Sequence, residues 1–336
     1  MQDNVLAILA GGFSRRYQDK EGQFIDKALL SINNVTILLD LIKRGFQFYD
    51  EVSISVNSLE RKHKYEQILG KETKQPSRIV IDKKMKIKGV LRGIISTIKE
   101  NQDKNIQFIP VDRPFIDLNL LNKITRQEKG ISLFHYDNGL LEPLLASYGA
   151  KFYFPPEIDQ LQLSRADVLI RICPQILLYN IDSIIETNQL PSYIFANINV
   201  QSDLSVEKPP YDSTSINLPK PRLIIRKDLP KINLNLIKKD FQELIHELVE
   251  NEHYYFSFLL FLYLKQNSKL SSREFQSLAY NVLESEYRYW LNENMDFLAL
   301  HALQDQIEFC SISNNQKKLK EISKLKKKMG IKSRIL

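Results

Sequence analysis

Short apolar runs alternate with stretches of helical spacing through the first third of the chain, and this alternation restricts the fold more than any other feature. Val5-Leu6-Ala7-Ile8-Leu9 is continuous and ends in glycines, as expected of a strand buried on both faces and feeding a loop. Val35 to Phe48 has helical spacing. Glu51 to Val56, Arg78 to Asp82 and Asn105 to Pro110 are further strand-like runs, and Leu91 to Glu100 is predicted helical. Strands alternating with helices predict a three-layer α/β/α arrangement around a mostly parallel sheet. Ligands of such sheets sit in loops at the carboxyl ends of the strands. The loops after Leu9, Val56, Ile81 and Ile109 are therefore expected along one edge.

Ser132 to Tyr136 and Pro143 to Tyr148 suggest a hairpin, and Arg165 to Ile172 and Tyr193 to Ile198 further strands, closing a first domain over 1–205. Five prolines from Pro209 to Pro230 predict a linker over 206–234 that holds one strand, Arg222 to Arg226. Residues 235–336 read as all-α, with helices at about 235–250, 253–266, 271–292, 294–309 and 315–329. Phe256 to Leu264 is apolar on all sides, which suits a central buried helix. Tyr287, Tyr289 and Trp290 are expected to pack in the same bundle.

The net charge of +7 points to nucleic acid until it is located. Residues 315–336 hold nine Lys/Arg and one acid, a net +8, so the rest of the chain carries −1. No nucleic-acid-binding body is indicated. That tail places Leu319, Ile322, Leu325 and Met329 on one stripe. It is expected either to dock by the stripe or to meet an acidic protein partner. No apolar stretch is long enough to span a bilayer, and Met1-Gln2-Asp3-Asn4 lacks the start of a signal peptide, so a soluble, cytoplasmic protein with no membrane association is expected. Cys173 and Cys310 stand far apart and outside any CxxC, which argues against a disulfide framework or a cysteine-rich zinc site.

Five segments carry chemistry. Leu9-Ala10-Gly11-Gly12 follows a buried strand, where glycines let the backbone approach a phosphate and amide N–H groups hold anionic oxygens. Arg15 and Arg16 add positive charge beside it. Lys27, in Asp26-Lys27-Ala28-Leu29-Leu30, could neutralise charge developing on a transferred phosphoryl group. Asp112, held between Pro110 and Pro114, suits Mg2+, which binds through one or two carboxylates and substrate phosphates. Gly89-Val90-Leu91-Arg92-Gly93 could pack against a purine ring or simply turn the chain. Asn197-Ile198-Asn199, read as a strand, puts two amides on one face. Each segment also has a structural reading: a turn, a surface lysine, a helix cap.

In order and spacing, these segments resemble the molybdenum cofactor guanylyltransferase family of Rossmann-like nucleotidyltransferases. That family shows LAGGxSxRMGxDK, GPLxGI, PCDxPF and a late NxNTPxDL. Here the corresponding stretches are Leu9 to Arg16 with Asp26-Lys27, Gly89 to Ile94, Pro110 to Phe115, and Asn197 to Leu204; Glu142-Pro143-Leu144-Leu145-Ala146 is similar to EPLLAxY. The resemblance covers roughly residues 4–205. It implies that Leu9, Ala10, Gly11 and Gly12 line the nucleotide loop, that Lys27 and Arg16 meet phosphates, that Asn57 and Asp82 bind the nucleotide, and that Asp112 is the Mg2+ ligand. The implied reaction moves GMP from GTP to molybdopterin and releases pyrophosphate. This sequence departs from the pattern at Tyr17-Gln18, Val90, Arg92, Val111 and Asn199 to Asp203, and its stretch between Arg16 and Asp26 is longer. Asp19-Lys20 is an alternative register for the Asp-Lys pair. Alternative functions are another nucleotidyltransferase, with a cytidylyl product or a sugar-phosphate acceptor, and a non-catalytic nucleotide-binding adaptor.

Overall fold

The structure is a computed structural model that describes residues 3–12, 25–72, 77–125, 130–199, 203, 211, 215–229, 241–267, 272–312 and 316–328. In chain order the first elements are β1 (Asn4–Leu9), β2 (Ser31–Ile32), β3 (Val35–Thr36), α1 (Ile37–Gly45), β4 (Glu51–Val56), α2 (Leu59–Glu72), β5 (Arg78–Ile81), α3 (Gly89–Glu100), β6 (Asn105–Pro110) and α4 (Leu118–Thr125). They are followed by β7 (Ile131–His135), β8 (Leu141–Tyr148), α5 (Asp167–Ile172), β9 (Gln175–Asn180), α6 (Ile181–Asn188) and β10 (Arg222–Ile225). Five helices end the series: α7 (Phe241–Glu250), α8 (Tyr254–Asn267), α9 (Ser272–Asn292), α10 (Asp296–Ile312) and α11 (Gln316–Lys328).

Eight strands form one sheet in the order β10-β9-β7-β8-β6-β1-β4-β5. β6, β1, β4 and β5 run parallel, as do β7 and β9, whereas β8 and β10 are antiparallel to their neighbours. This is the expected mostly parallel α/β sheet. Alternate side chains of β1 show why the runs are apolar throughout. Val5, Ala7 and Leu9 enter one core, with Leu91, Ile94 and Ile95 of α3. Leu6 and Ile8 enter the other, with residues of α1, α2 and α4.

Three expectations are corrected. Arg165 to Ile172 is helical over Asp167–Ile172 and not a strand. Short buried apolar runs fit either period, and here the buried, paired Asp167 and Arg171 stand four apart, one helical turn. Tyr193 to Ile198 is likewise not a strand. Pro191 opens a 3-10 turn over Ser192–Phe195, and only an extended tail follows. The helix expected from Val35 starts at Ile37, because Ser31–Ile32 and Val35–Thr36 form a small hairpin. Asn33 and Asn34 make its turn at φ of 51° and 63°, values that asparagine tolerates.

Arg222–Ile225, inside the stretch expected as linker, pairs with β9 as the last strand of the sheet. Ile245 and Leu248 of α7, most of α8, and Trp290, Leu298 and Ala299 of α9 and α10 share one continuous core with β1, α3 and α5. α11 docks by Ile322, which is buried, and Leu319, while Leu325 is exposed; Met329 lies outside the described residues. Among the described residues no helix is long and apolar enough to cross a membrane.

Candidate active site

The carboxyl ends of β1, β4, β5 and β6 meet around one cavity of about 580 Å³. The end of β1 is splayed between its neighbours: Ala10 N–H donates to Ser55 O at 2.9 Å, and Val111 N–H donates to Leu9 O at 3.2 Å. Leu9, Ala10, Gly11 and Gly12 line the cavity. A Cβ on Gly11 would lie 3.2 Å from the Asn57 backbone nitrogen, so a larger residue would push the two loops apart. Arg15, Arg16 and the alternative Asp19-Lys20 pair lie outside the described residues.

Asp26 caps the 3-10 turn Lys27–Leu29 by accepting from Ala28 N–H. The turn directs Lys27 inward, where it is only 8% exposed. Its Nζ donates to Asp112 Oδ2 at 3.2 Å and to Ile198 O at 2.6 Å. Ile198 N–H in turn donates to Asp112 O at 2.7 Å. Lys27 therefore joins the aspartate after β6 to the Asn197–Asn199 segment. Asn197 lines the cavity, while Asn199 N–H turns to Asp203 Oδ2.

On the β5 side, Asp82 N–H donates to Val56 O at 2.9 Å and fixes Asp82 beside Asn57 at the cavity wall. Gly93 lets α3 approach closely: a Cβ there would stand 2.8 Å from Ser55 Oγ and 3.4 Å from Asp82 Oδ1. Burial pushes the Asp82 carboxyl up to about 6, against the pull of the Arg92 guanidinium. Arg92 is itself held by Ile87 O. At the opposite end, buried Arg113 donates to Glu142 Oε2 at 2.5 Å and to Phe195 O. Both side chains reach the cavity.

Among the described residues no group of three His, Cys, Asp or Glu could cage a metal ion. Four carboxylates line the cavity, Asp26, Asp82, Asp112 and Glu142; the donor set after β6 is Asp112 alone, whose side chain is 29% exposed. That set fits a magnesium ion completed by substrate phosphates and water.

Arg61, Arg113 and Glu142 are the charged groups whose place sequence reasoning did not assign. Glu142 was visible only inside the EPLLA stretch. Arg61 stands one helical turn after Asn57, a spacing that aims a long side chain back at the strand-end loops.

Residues 6–171 match the MobA-like NTP transferase domain family. The chain is 29% identical over 155 residues to a protein of Methanosarcina mazei named "Probable molybdenum cofactor guanylyltransferase", covering 46% of this chain and 66% of the relative. A Methanosarcina acetivorans protein of the same name is 29% identical over 147 residues, 43% of this chain and 63% of the relative. The chain thus spans just under two thirds of the length of these curated relatives. A crystal structure from Aquifex aeolicus VF5 aligns with 58% of this chain and 93% of its own, at 17% identity and a TM-score of 0.36.

Proposed function

We propose that this chain, whose residues 6–171 belong to the MobA-like NTP transferase family, transfers GMP from GTP to molybdopterin. The observation that carries the reading is the single cavity that holds the glycine loop, the Lys27–Asp112 pair and the half-buried Asp82. A terminal phosphate oxygen of the acceptor attacks the α-phosphorus of GTP. The new P–O bond forms as the bond to the bridging oxygen breaks, and pyrophosphate leaves with the electron pair. The attacking group is already an anion, so no protein nucleophile is needed, and the residues contribute position and charge. Gly11 and Gly12 cradle the phosphates, with Arg16 as a further cation. Lys27 neutralises charge on the leaving side and orients Asp112. Asp112 would hold Mg2+, which supplies charge neutralisation across the phosphates. Asp82 accepts hydrogen bonds from the guanine amino and imino groups, next to Asn57. Catalysis is assigned to 1–205, with 206–234 as the link to the helical region 235–336.

The test is titration of the protein with GTP, CTP and UTP in the presence of Mg2+, followed by pyrophosphate release with molybdopterin as acceptor. GTP should bind tightest and release pyrophosphate only when acceptor is present. Preference for CTP or UTP supports the other nucleotidyltransferase readings. GTP binding with no release supports the adaptor.

Asp82 makes the guanine contact pH-dependent. Its carboxyl titrates at about 6 in the free protein, and only the ionised form accepts both hydrogen bonds. GTP affinity should be flat above that pH and fall below it, by about tenfold per unit once protonation dominates. Arg92 is the charged group that pulls the transition downward. Asp82→Asn should bind more weakly at pH 8 and lose this dependence, so the difference between the two pH series isolates Asp82 from the phosphates of GTP. Parallel curves for the two proteins would exclude the contact.

A further inference from the structure

Arg61 sits in the first turn of α2, behind the glycine loop and outside the cavity lining. Ser58 starts the helix by accepting Arg61 N–H at 3.2 Å. The guanidinium then reaches back to three loops. Its Nη1 donates to Ala10 O and Gly12 O, both at 3.1 Å, with Asn57 Oδ1 at 3.4 Å. Its Nε lies 3.5 Å from Asp26 Oδ2. Tyr65, one turn further along α2 and fully buried, donates to both Asp26 oxygens at 3.0 and 3.1 Å. Burial and the Asp26 charge raise its phenol above the ordinary range, so it remains a donor.

We propose that Arg61 is the positioning residue that sets the anion-binding face of the glycine loop and ties it to the turn carrying Lys27. The assignment rests on reading the cavity as a nucleotide site. Across a planar trans peptide, C=O and the following N–H point in opposite directions. Holding Ala10 O against α2 therefore turns the Gly11 N–H away from α2, toward the side where Ala10, Gly11 and Gly12 line the cavity. Two adjacent glycines do not hold this orientation unaided, because their backbone is the least restricted. An arginine suits the task because its fork of fixed donors meets several acceptors at once. Its charge is met by Asp26, so it acts behind the loop and not as a phosphate ligand. The same Asp26 caps the turn of Lys27, and Lys27 holds Asp112. A single guanidinium thus sets loop and lysine in register.

The test is binding of GTP and of guanosine, with Mg2+, to the full chain and to Arg61→Ala and Arg61→Gln. GTP affinity should fall about ten- to a hundredfold, since small misplacements of phosphate donors have effects of that size. Guanosine affinity should change by less than about threefold, because the Arg61 guanidinium bonds Ala10, Gly12, Asn57 and Asp26 and not Asp82. Guanidinium ion at low millimolar concentration should restore GTP binding to Arg61→Ala, and sodium chloride at the same concentration should not. Unchanged GTP affinity in both variants, or equal loss of GTP and guanosine, overturns the proposal. Failure of the unaltered chain to bind GTP overturns the nucleotide-site reading, and this assignment with it.

Discussion

Asp112→Asn is expected to lower pyrophosphate release from GTP by about a hundred- to a thousandfold while the chain stays folded. The side chain keeps its size, and its amide oxygen can still accept from Lys27 Nζ, now 3.2 Å from Oδ2. What is lost is the negative charge that fits Mg2+ and balances a lysine only 8% exposed. Asp112 itself is 29% exposed, so solvent screens the pair, and the stability loss should be about 1 kcal/mol. Activity and stability therefore separate, whereas a folding role would move them together. Asp112→Ala should be as inactive. It also removes the acceptor, freeing Lys27 to swing about its remaining bond to Ile198 O. Steady-state pyrophosphate release beside a urea unfolding curve measures both quantities. Turnover close to that of the unaltered chain in Asp112→Asn would remove the aspartate from the reaction.

The residues around that carboxylate were legible because parallel strands leave no choice about where their loops go. Once Val5–Leu9, Glu51–Val56, Arg78–Ile81 and Asn105–Pro110 lie side by side, Gly11, Asn57, Asp82 and Asp112 share an edge. No tertiary detail is needed for that inference. Lys27 was found by motif, and the partner that fixes it, Ile198 O, stands 171 positions away. Its bond comes from a main-chain oxygen, which carries no sequence signature. Arg61 escaped for a similar reason, since two of its acceptors are carbonyls. The second half of the sheet was less readable. β8 turns antiparallel between β6 and β7, so strand order no longer follows one rule. β9 went unassigned, and Asp167–Ile172 fits a strand as well as a helix until the partners of its two charged residues are known.

Those partners carry the largest expected effect on stability. Arg171 is fully buried on α5, and its Nε and Nη2 donate to Glu286 Oε1 and Oε2 of α9 at 2.7 and 2.6 Å. Its Nη1 donates to Asp305 of α10 at 2.5 Å, and the guanidinium lies 3.4 Å from the ring centre of Tyr255. Arg165 and His301 complete the cluster around Asp167 and Asp305. Arg171→Met removes the only positive charge paired with Glu286 among these contacts and leaves that carboxylate buried. The expected loss is about 3–5 kcal/mol, the usual cost of stranding one partner of a buried pair. Arg171→Met with Glu286→Leu should recover much of it, because Asp305 keeps Arg165 and no stranded carboxylate remains. Burial opposes ionisation of Asp167, yet the hydrogen bond and charge of His301, with Arg165 and Arg171, hold its carboxyl well below the usual range. A depressed folded-state value stabilises the chain above the unfolded carboxylate pKa of about 4, and that stability is lost as pH falls below it. Acid should therefore loosen α9 and α10 from α5. Urea unfolding of the two variants at pH 7, and of the unaltered chain from pH 7 to 3, checks both points. A double variant no more stable than Arg171→Met would show that a stranded Glu286 carboxylate, which still accepts from Trp290 Nε1, is not the source of the loss.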